Sequence, residues 1–274
     1  MKIEKILEDE KERIVENRHP SETRSGNTSV SGYDSKMNLD ETGPDYATSA
    51  IQAANDIDAT LTKAWTDSKN NAEETKEHAA VVIKRGDKYV TSEVKEYNEG
   101  NSSPKVKKKN LEEGDVVAGD FHTHPYGTEE IARTSGSYNW DGQGTGPSGA
   151  DFVSVAQAKI ENGYFMIIES GTVRSIIVID DVAKYKNAFV HHNGPVTTTE
   201  EATIDGAVKD AVLNPDYAEK NPNATNPKTY DEAYWIGTIN GLNQVKKNAG
   251  GGDIGLKLLR SKKDKKSEYE TVFP

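Results

Sequence analysis

The sequence predicts an α/β fold in which a mixed β-sheet packs between helices. Short runs rich in Val and Ile, with the length of buried strands, recur along the 274 residues. Longer segments among them carry apolar residues every three or four positions, which is the period of amphipathic helices. Strand and helix patterns that mix in this way are typical of a sheet covered by helices.

Five segments have the pattern of helices. Asp45 is a good N-cap, and the apolar residues from Ala47 to Trp65 recur with a 3.6-residue period, which predicts one helix packed on a core. A capping box of Thr229 and Glu232 marks the start of the last helix. The predicted helices cover residues 2–17, about 45–65, 148–163, 200–213 and 230–247.

Seven runs have the pattern of strands. Turn residues at Gly86-Asp87 and Ser170-Gly171 join two pairs of them into hairpins. Alternation in the third strand predicts that one of its faces carries Val116, Ala118, Asp120, His122 and His124. The predicted strands cover residues 79–83, 89–94, 115–124, 164–169, 172–179, 254–259 and 269–273.

The first 44 residues are predicted to stand apart from the folded domain. A short N-terminal helix is followed, from His19 to Pro44, by polar residues with almost nothing to bury, which is typical of a linker or flexible tail. An export or loading tag is an alternative use of this segment, although a flexible tail is the commoner explanation. Residues 45–274 are predicted to form one domain with a C-terminal helical and strand extension.

Composition excludes several function classes. The net charge of −11 disfavours nucleic-acid binding, which relies on clustered Lys and Arg. The two basic clusters, at 105–109 and 262–266, are interpreted as solvated loops because charge runs usually are. The absence of cysteine excludes disulfides, thiolate zinc sites and Cys nucleophiles.

No segment is predicted to span a membrane. No window approaches the ~18 consecutive apolar residues that a span needs. The N-terminus is of mixed charge and lacks the apolar core of a secretory signal. We therefore expect a protein that is cytoplasmic in the producing cell, and any export would use a route without a cleaved signal peptide.

His122 and His124 are the first residues that indicate chemistry. Residues two apart in a strand point to the same side, so both imidazoles can reach one ion. A catalytic zinc takes three protein ligands and leaves the fourth position to water, and Asp151 is a candidate third ligand. A pair of surface histidines on an edge strand is the alternative interpretation.

Ser148 and Asp151 also have a purely structural interpretation. A serine followed three residues later by an acidic residue is a helix-capping signature, and the spacing alone favours it. The two interpretations are compatible, because a helix start fixes the Asp carboxylate and leaves the Ser hydroxyl beside the same ligand sphere.

Glu77 is a candidate general base. A hydrolytic zinc site needs a carboxylate beside the metal-bound water, and Glu77 precedes the strand that begins at Ala79. Glu73, Glu74 and Glu93 are competitors, and composition does not choose among them.

Together these residues resemble the JAMM signature of the JAB/MPN metalloprotease superfamily, in which a Glu precedes H-x-H, a spacer and S-x-x-D. More narrowly, the chain is similar to the bacterial JAB-like toxin branch over about residues 46–180. The segments that carry the resemblance are Glu77 with the strand after it, Gly86-Asp87-Lys88-Tyr89, Gly119-Asp120-Phe121-His122-Thr123-His124-Pro125, Pro147-Ser148-Gly149-Ala150-Asp151 and Glu169-Ser170-Gly171.

The resemblance implies a JAB/MPN-like, cytidine-deaminase-like fold and a zinc-dependent peptidase or isopeptidase. It implies that Zn²⁺ is held by His122, His124 and Asp151. Glu77 would act as the general base on the bound water, and Ser148 would help to stabilise the oxyanion. The implied partners are a protein or peptide substrate and, for a toxin or effector, an immunity protein or a delivery apparatus.

The spacer between His124 and Ser148 departs from the superfamily pattern. It comprises residues 125–147, which makes 23 residues, and is much longer than the usual one. A loop beside the site is predicted for the additional residues. A substrate-binding flap, a lid, a segment that blocks the site and the mark of a zinc binder that does not cleave are all open alternatives.

Two rival classes remain. A PHP-type phosphoesterase also uses H-x-H, but it needs further histidines downstream, where only the adjacent pair His191 and His192 is available. A catalytically inactive metal-binding or protein-interaction module of the same fold is the other alternative. The complete Glu, His, His, Ser and Asp set favours activity over this second alternative.

Overall fold

The computed structural model describes residues 45–69, 76–97, 104, 106, 110–125, 145–157, 163–189, 199–217, 222–226 and 228–274. The predictions for residues 1–44, for most of the cluster at 105–109 and for the loop at 126–144 lie outside the described residues. The same holds for Glu73, Glu74, His191 and His192.

The described helices and strands follow the predicted order, except that one predicted helix is divided in two. A short strand, a short helix and a 3₁₀ helix at Pro215–Tyr217 are additional. The helices are α1 (Tyr46–Asp56), α2 (Asp58–Lys69), α3 (Gly149–Gln157), α4 (Val182–Ala188), α5 (Thr199–Leu213) and α6 (Tyr230–Asn248). The strands are β1 (Glu77–Arg85), β2 (Lys88–Thr91), β3 (Lys95–Tyr97), β4 (Val116–Thr123), β5 (Tyr164–Glu169), β6 (Arg174–Ile179), β7 (Leu256–Lys262) and β8 (Lys265–Phe273).

All the described strands join one mixed sheet. Its order is β2-β1-β4-β5-β6-β7-β8, and β3 pairs with the first half of β1. β4 and β5 run parallel, whereas the other described pairs are antiparallel. The predicted α/β class, a mixed sheet packed between helices, is therefore confirmed.

The sheet separates two hydrophobic cores. On one face, Ala50 and Leu61 from the first two helices pack against strand residues such as Phe121 and Ile167. On the other face, residues of α3 to α6 cover Met166, Ile168 and their neighbours. Burial on both faces explains why β5 and β6 read as nearly continuous apolar runs.

The prediction of one helix from Asp45 to Trp65 is wrong, because the chain turns at Ile57 between α1 and α2. Asp45 does cap the first helix, since its carboxylate accepts the N–H groups of residues 47 and 48. Asp56 accepts the N–H of Tyr89, and the residue after the turn starts a new helix. Asp at these positions favours turns and caps over helix interiors.

The register of β1 with β4 shifts at a β-bulge, so the predicted alternation holds only for the second half of β4. Ala118 packs into the core of α1 and α2, whereas Val117 packs on the opposite face. The prediction that Val116 and Ala118 share a face with the histidines is therefore wrong. Asp120 and His122 pair with β1 in unbroken register.

The C-terminal basic cluster at 262–266 is a tight hairpin between β7 and β8, which corrects its interpretation as a loop. Both strands are longer than predicted, because charged residues pair across them instead of alternating with apolar ones. Arg260 binds Glu270, and Lys262 binds Glu268. Cross-strand ion pairs of this kind support a solvent-exposed ladder.

Candidate metal centre

Three predicted ligands meet at one point on the face of the sheet covered by α3 to α6. His122 lies near the end of β4, His124 is the first residue after that strand, and Asp151 lies in the first turn of α3. One ligand atom from each of the three lies within 4.8 Å of the other two. All three residues are buried, at 4%, 8% and 1% exposure, so the group forms inside the protein rather than on its surface.

The separations of the ligand atoms are close to those around a single small cation. The two Nε2 atoms lie 3.0 Å apart, and the Asp151 carboxylate oxygens lie 3.2 Å from His122 Nε2 and 3.5 Å from His124 Nε2. A tetrahedral zinc held about 2.0–2.2 Å from each ligand would set the ligand atoms roughly 3.3–3.6 Å apart, so the two shorter separations would widen by a few tenths of an ångström when the ion binds. Two imidazoles and one carboxylate are also ligand types that zinc takes. This buried group could therefore hold a metal ion.

Asp151 is positioned by the start of its own helix. Its Oδ2 atom accepts hydrogen bonds from Ser148 N at 2.7 Å and from Ser148 Oγ at 2.8 Å. Ser154 Oγ in turn donates to the backbone carbonyl of Asp151 at 2.9 Å. The capping interpretation of the S-x-x-D motif is thus correct, and the same cap brings the carboxylate to the histidines.

The orientation of His124 follows from two backbone carbonyls. Its backbone N–H donates to Glu169 O at 2.9 Å, and its ring Nδ1 lies 3.2 Å from Gly146 O. Because a carbonyl can only accept, Nδ1 must carry the proton, and Nε2 is left with a lone pair that faces Asp151. Histidines that bind metal usually have this second hydrogen bond.

The two imidazoles have opposite pKa shifts. Burial lowers the pKa of His122, but the charge and hydrogen bond of Asp151 outweigh it and raise that pKa to about 9. Burial lowers the pKa of His124, and the same carboxylate does not overcome it. At neutral pH the zinc-free group therefore holds one extra proton, on His122, and a metal that binds there must displace it.

Glu77 lies on the same face of the sheet as the histidines. It is the first residue of β1, two positions before Ala79, which pairs directly with His122. Its side chain is 4% exposed, and its charge raises the pKa of both histidines. The competitor Glu93 is exposed on the link between β2 and β3.

Asp120 is a buried carboxylate beside the site, and it is not one of the predicted site residues. It lies two residues before His122 on the same face and is 1% exposed. Its charge also raises the pKa of His122 and that of Tyr97. Only its place in the strand alternation could have indicated it.

Thr123, between the two histidines, faces the other way. Its hydroxyl accepts the backbone N–H of His78 at 2.9 Å and lies 2.7 Å from Ser68 Oγ. Ser68 also contacts the His78 ring, with 3.0 Å between Oγ and Nδ1. These contacts join α2, the start of β1 and the end of β4 behind the site, so His78 is part of the framework and not a ligand.

No protein-family model matches the chain, and no curated protein is significantly similar to it. Within the described residues, no helix is both long and apolar enough to cross a membrane. A functional interpretation therefore depends on the geometry of this group and on the resemblance of its motifs.

Proposed function

We propose that the chain is a zinc-dependent peptidase or isopeptidase of the JAMM type, with a JAB/MPN-like fold. The observation that carries the proposal is the buried ligand group of His122, His124 and Asp151, whose atoms lie close enough together to hold one ion. Glu77 on the neighbouring strand adds the carboxylate that the chemistry needs. The order of the four residues along the chain is that of the JAMM signature.

The roles of the residues follow from their positions. Zinc, when bound, would polarise a scissile carbonyl and lower the pKa of a water molecule. Glu77 would take the proton from that water and pass it to the leaving amine. Burial of Glu77 strengthens its electrostatic interactions with the site, because little solvent screens them.

Ser148 is assigned to stabilising the oxyanion of the reaction. In the zinc-free arrangement its hydroxyl donates to Asp151 Oδ2. To stabilise an oxyanion, this hydroxyl must rotate away from the Asp151 carboxylate and towards the substrate. The backbone N–H of Ser148 donates to the same oxygen, so the cap survives that rotation.

We further propose, on the resemblance to the JAB-like toxin branch, that the protein acts as a bacterial toxin or effector. This role implies a protein or peptide substrate, an immunity protein in the producing cell and a delivery apparatus.

The test combines metal content with cleavage. Purified wild-type protein is expected to bind one equivalent of zinc, measured by elemental analysis, and His122→Ala and Asp151→Ala are each expected to lose it. Glu77→Gln is expected to retain the zinc, because Glu77 is the base and not a ligand. Cleavage is measured as the appearance of new amino groups when the protein is incubated with a bacterial protein extract. Glu93→Gln is the matched control.

Each outcome has a distinct meaning. Full zinc content in both ligand variants would overturn the metal assignment. Zinc binding without any cleavage by the wild-type protein would favour the inactive metal-binding module. Cleavage that persists in Glu77→Gln would remove Glu77 from the mechanism and leave the metal centre intact.

A further inference from the structure

We propose that Asp205 of α5 is a positioning residue for the metal centre, and this inference rests on the proposed function. Gly149 N, at the first position of α3, donates to Asp205 Oδ1 at 2.8 Å. Asp205 lies 54 residues after Asp151 (205 − 151) and outside the segment that resembles JAMM proteins. This hydrogen bond does not join Asp205 to a metal ligand. It joins Asp205 to α3, the helix that carries the ligand Asp151.

The first turn of a helix has backbone N–H groups without partners inside the helix. A carboxylate placed there satisfies one of them and is further favoured by the helix dipole. Asp205 supplies this carboxylate to α3 from a different helix. The contact therefore fixes α3 relative to α5, which a cap within α3 cannot do.

The other hydrogen bonds at the start of α3 are made to the ligand Asp151 itself. Ser148 N and Ser148 Oγ both donate to Asp151 Oδ2, so these groups move together with the carboxylate. They set the conformation of the turn but not its distance from β4. The bond from Gly149 to Asp205 connects the turn to the rest of the protein.

The close approach at Gly149 indicates that this contact is built into the packing. A Cβ atom at Gly149 would lie 2.8 Å from Asp205 Oδ1 and 2.6 Å from the carbonyl oxygen of Glu201. Any side chain at this position would push α5 away from α3. Gly149 is buried, so this junction lies inside the protein.

α5 is held in place in turn by α6. A Cβ atom at Gly237 would lie 2.4 Å from Val208 Cα, so the two helices meet backbone to backbone. α6 also supports the segment before α3, because Asp231 accepts a hydrogen bond from Thr145 Oγ1 at 3.0 Å. The C-terminal helix pair thus forms the outer support of a site whose ligands come from the N-terminal half of the domain.

The experiment measures zinc affinity in the full chain by competition with a chromophoric chelator. Asp205→Ala is expected to weaken zinc binding about 10–100-fold, the usual effect of losing a group that orients a ligand. Asp205→Asn keeps an oxygen that accepts the Gly149 N–H, so it is expected to bind zinc nearly as tightly as the wild type. Asp210→Ala, an exposed carboxylate on the same helix, is the matched control and should change nothing.

A second variant and a second measurement separate the loss of this hydrogen bond from a general loss of folding. Asp205→Leu keeps the shape of the side chain without an acceptor and is expected to behave as Asp205→Ala. In the zinc-free protein, both should accelerate amide hydrogen exchange at Gly149, whereas Asp205→Asn should not.

Unchanged zinc affinity in Asp205→Ala and Asp205→Leu, with a wild type that binds zinc, would overturn this inference alone. An affinity in Asp205→Asn as low as in Asp205→Ala would do the same. A wild type that binds no zinc would overturn the proposed function and this inference together.

Discussion

Asp151 Oδ1 lies 3.2 Å from His122 Nε2, while Oδ2 of the same carboxylate accepts the backbone N–H of Ser148 at the start of its own helix. One side chain therefore completes a helix start and a candidate ligand set. The structural and the functional interpretations of the S-x-x-D motif are two descriptions of one arrangement. Changes at Ser148 should consequently affect both the stability of the protein and its metal affinity.

Ser148→Ala is expected to lower the free energy of unfolding by about 0.5–2 kcal/mol, the usual cost of losing an N-cap side chain. It should also weaken zinc binding, because Asp151 loses one of the hydrogen bonds that orient it. Urea unfolding of the zinc-free protein and chelator competition measure the two effects.

Ser154→Ala is the matched control, since Ser154 Oγ bonds the backbone of Asp151 and not its carboxylate. It is expected to leave zinc affinity unchanged. Equal zinc affinities in Ser148→Ala, Ser154→Ala and the wild type would contradict a role of Ser148 in orienting the ligand.

The zinc-free protein is expected to lose stability as the pH rises from about 6.5 to about 9. Burial lowers the pKa of His122, but Asp151 outweighs it and raises that pKa to about 9. In this range the folded protein keeps a proton on His122 that the unfolded chain has released, so the unfolded state binds fewer protons and stability falls with pH. The contribution is complete below 6.5 and lost above 9.

Urea unfolding at a series of pH values measures this dependence, with His122→Gln as the reference. The difference in unfolding free energy between the two proteins should shrink as the pH rises through this window. His124 is present in both proteins, so the effect of its lowered pKa cancels in this difference. A difference that stays constant or grows with pH would refute the assignment of the proton to His122.

The sheet and most of its helices could be predicted because the local patterns agree with the packing. The two apolar runs around Ser170-Gly171 became β5 and β6, and the capping box at Thr229 is present with both of its hydrogen bonds. The break at Ile57 and the bulge in β4 were missed. Both depend on contacts with distant segments, which periodicity in one segment does not report.

The candidate site could likewise be predicted only in part. The three ligands could be predicted from the strand period and from the spacing of a capping motif. Gly146, Glu169 and Asp205 could not, because the first two act through backbone carbonyls, which any residue offers, and the third lies on a helix with no motif of its own. Support of this kind is set by tertiary packing.

Thr123→Val is expected to lower the free energy of unfolding by about 1–3 kcal/mol, because the part-buried N–H of His78 loses its acceptor. Valine has nearly the same shape, so little of this cost comes from packing. Thr123→Ser keeps the hydroxyl and is expected to recover most of the loss. Urea unfolding of the zinc-free protein decides the matter, and a serine variant no more stable than the valine variant would show that the hydroxyl is not the cause.

Arg174→Met is expected to be the most destabilising of these changes, at most about 3–5 kcal/mol, because it breaks a buried ion pair. The buried Glu169 carboxylate would keep only the partners of its Oε1 atom, which are Lys266 and the N–H of Gly171. Arg174 is 0% exposed, and its Nε and Nη2 atoms donate to Glu169 Oε2 at 2.9 and 2.7 Å. Nη2 also donates to Asp58, so the guanidinium ties the hairpin of β5 and β6 to α2.

The effect should extend to the metal centre, because the backbone carbonyl of Glu169 accepts the N–H of His124 at 2.9 Å. We expect weaker zinc binding in Arg174→Met. We expect a partial recovery of stability in the double variant Arg174→Met with Glu169→Gln, which removes the buried charge that Arg174 helps to compensate. Lys63→Ala breaks an exposed ion pair on α2 and serves as the control with little effect. Stability of Arg174→Met equal to that of Lys63→Ala would show that the buried pair does not support the site.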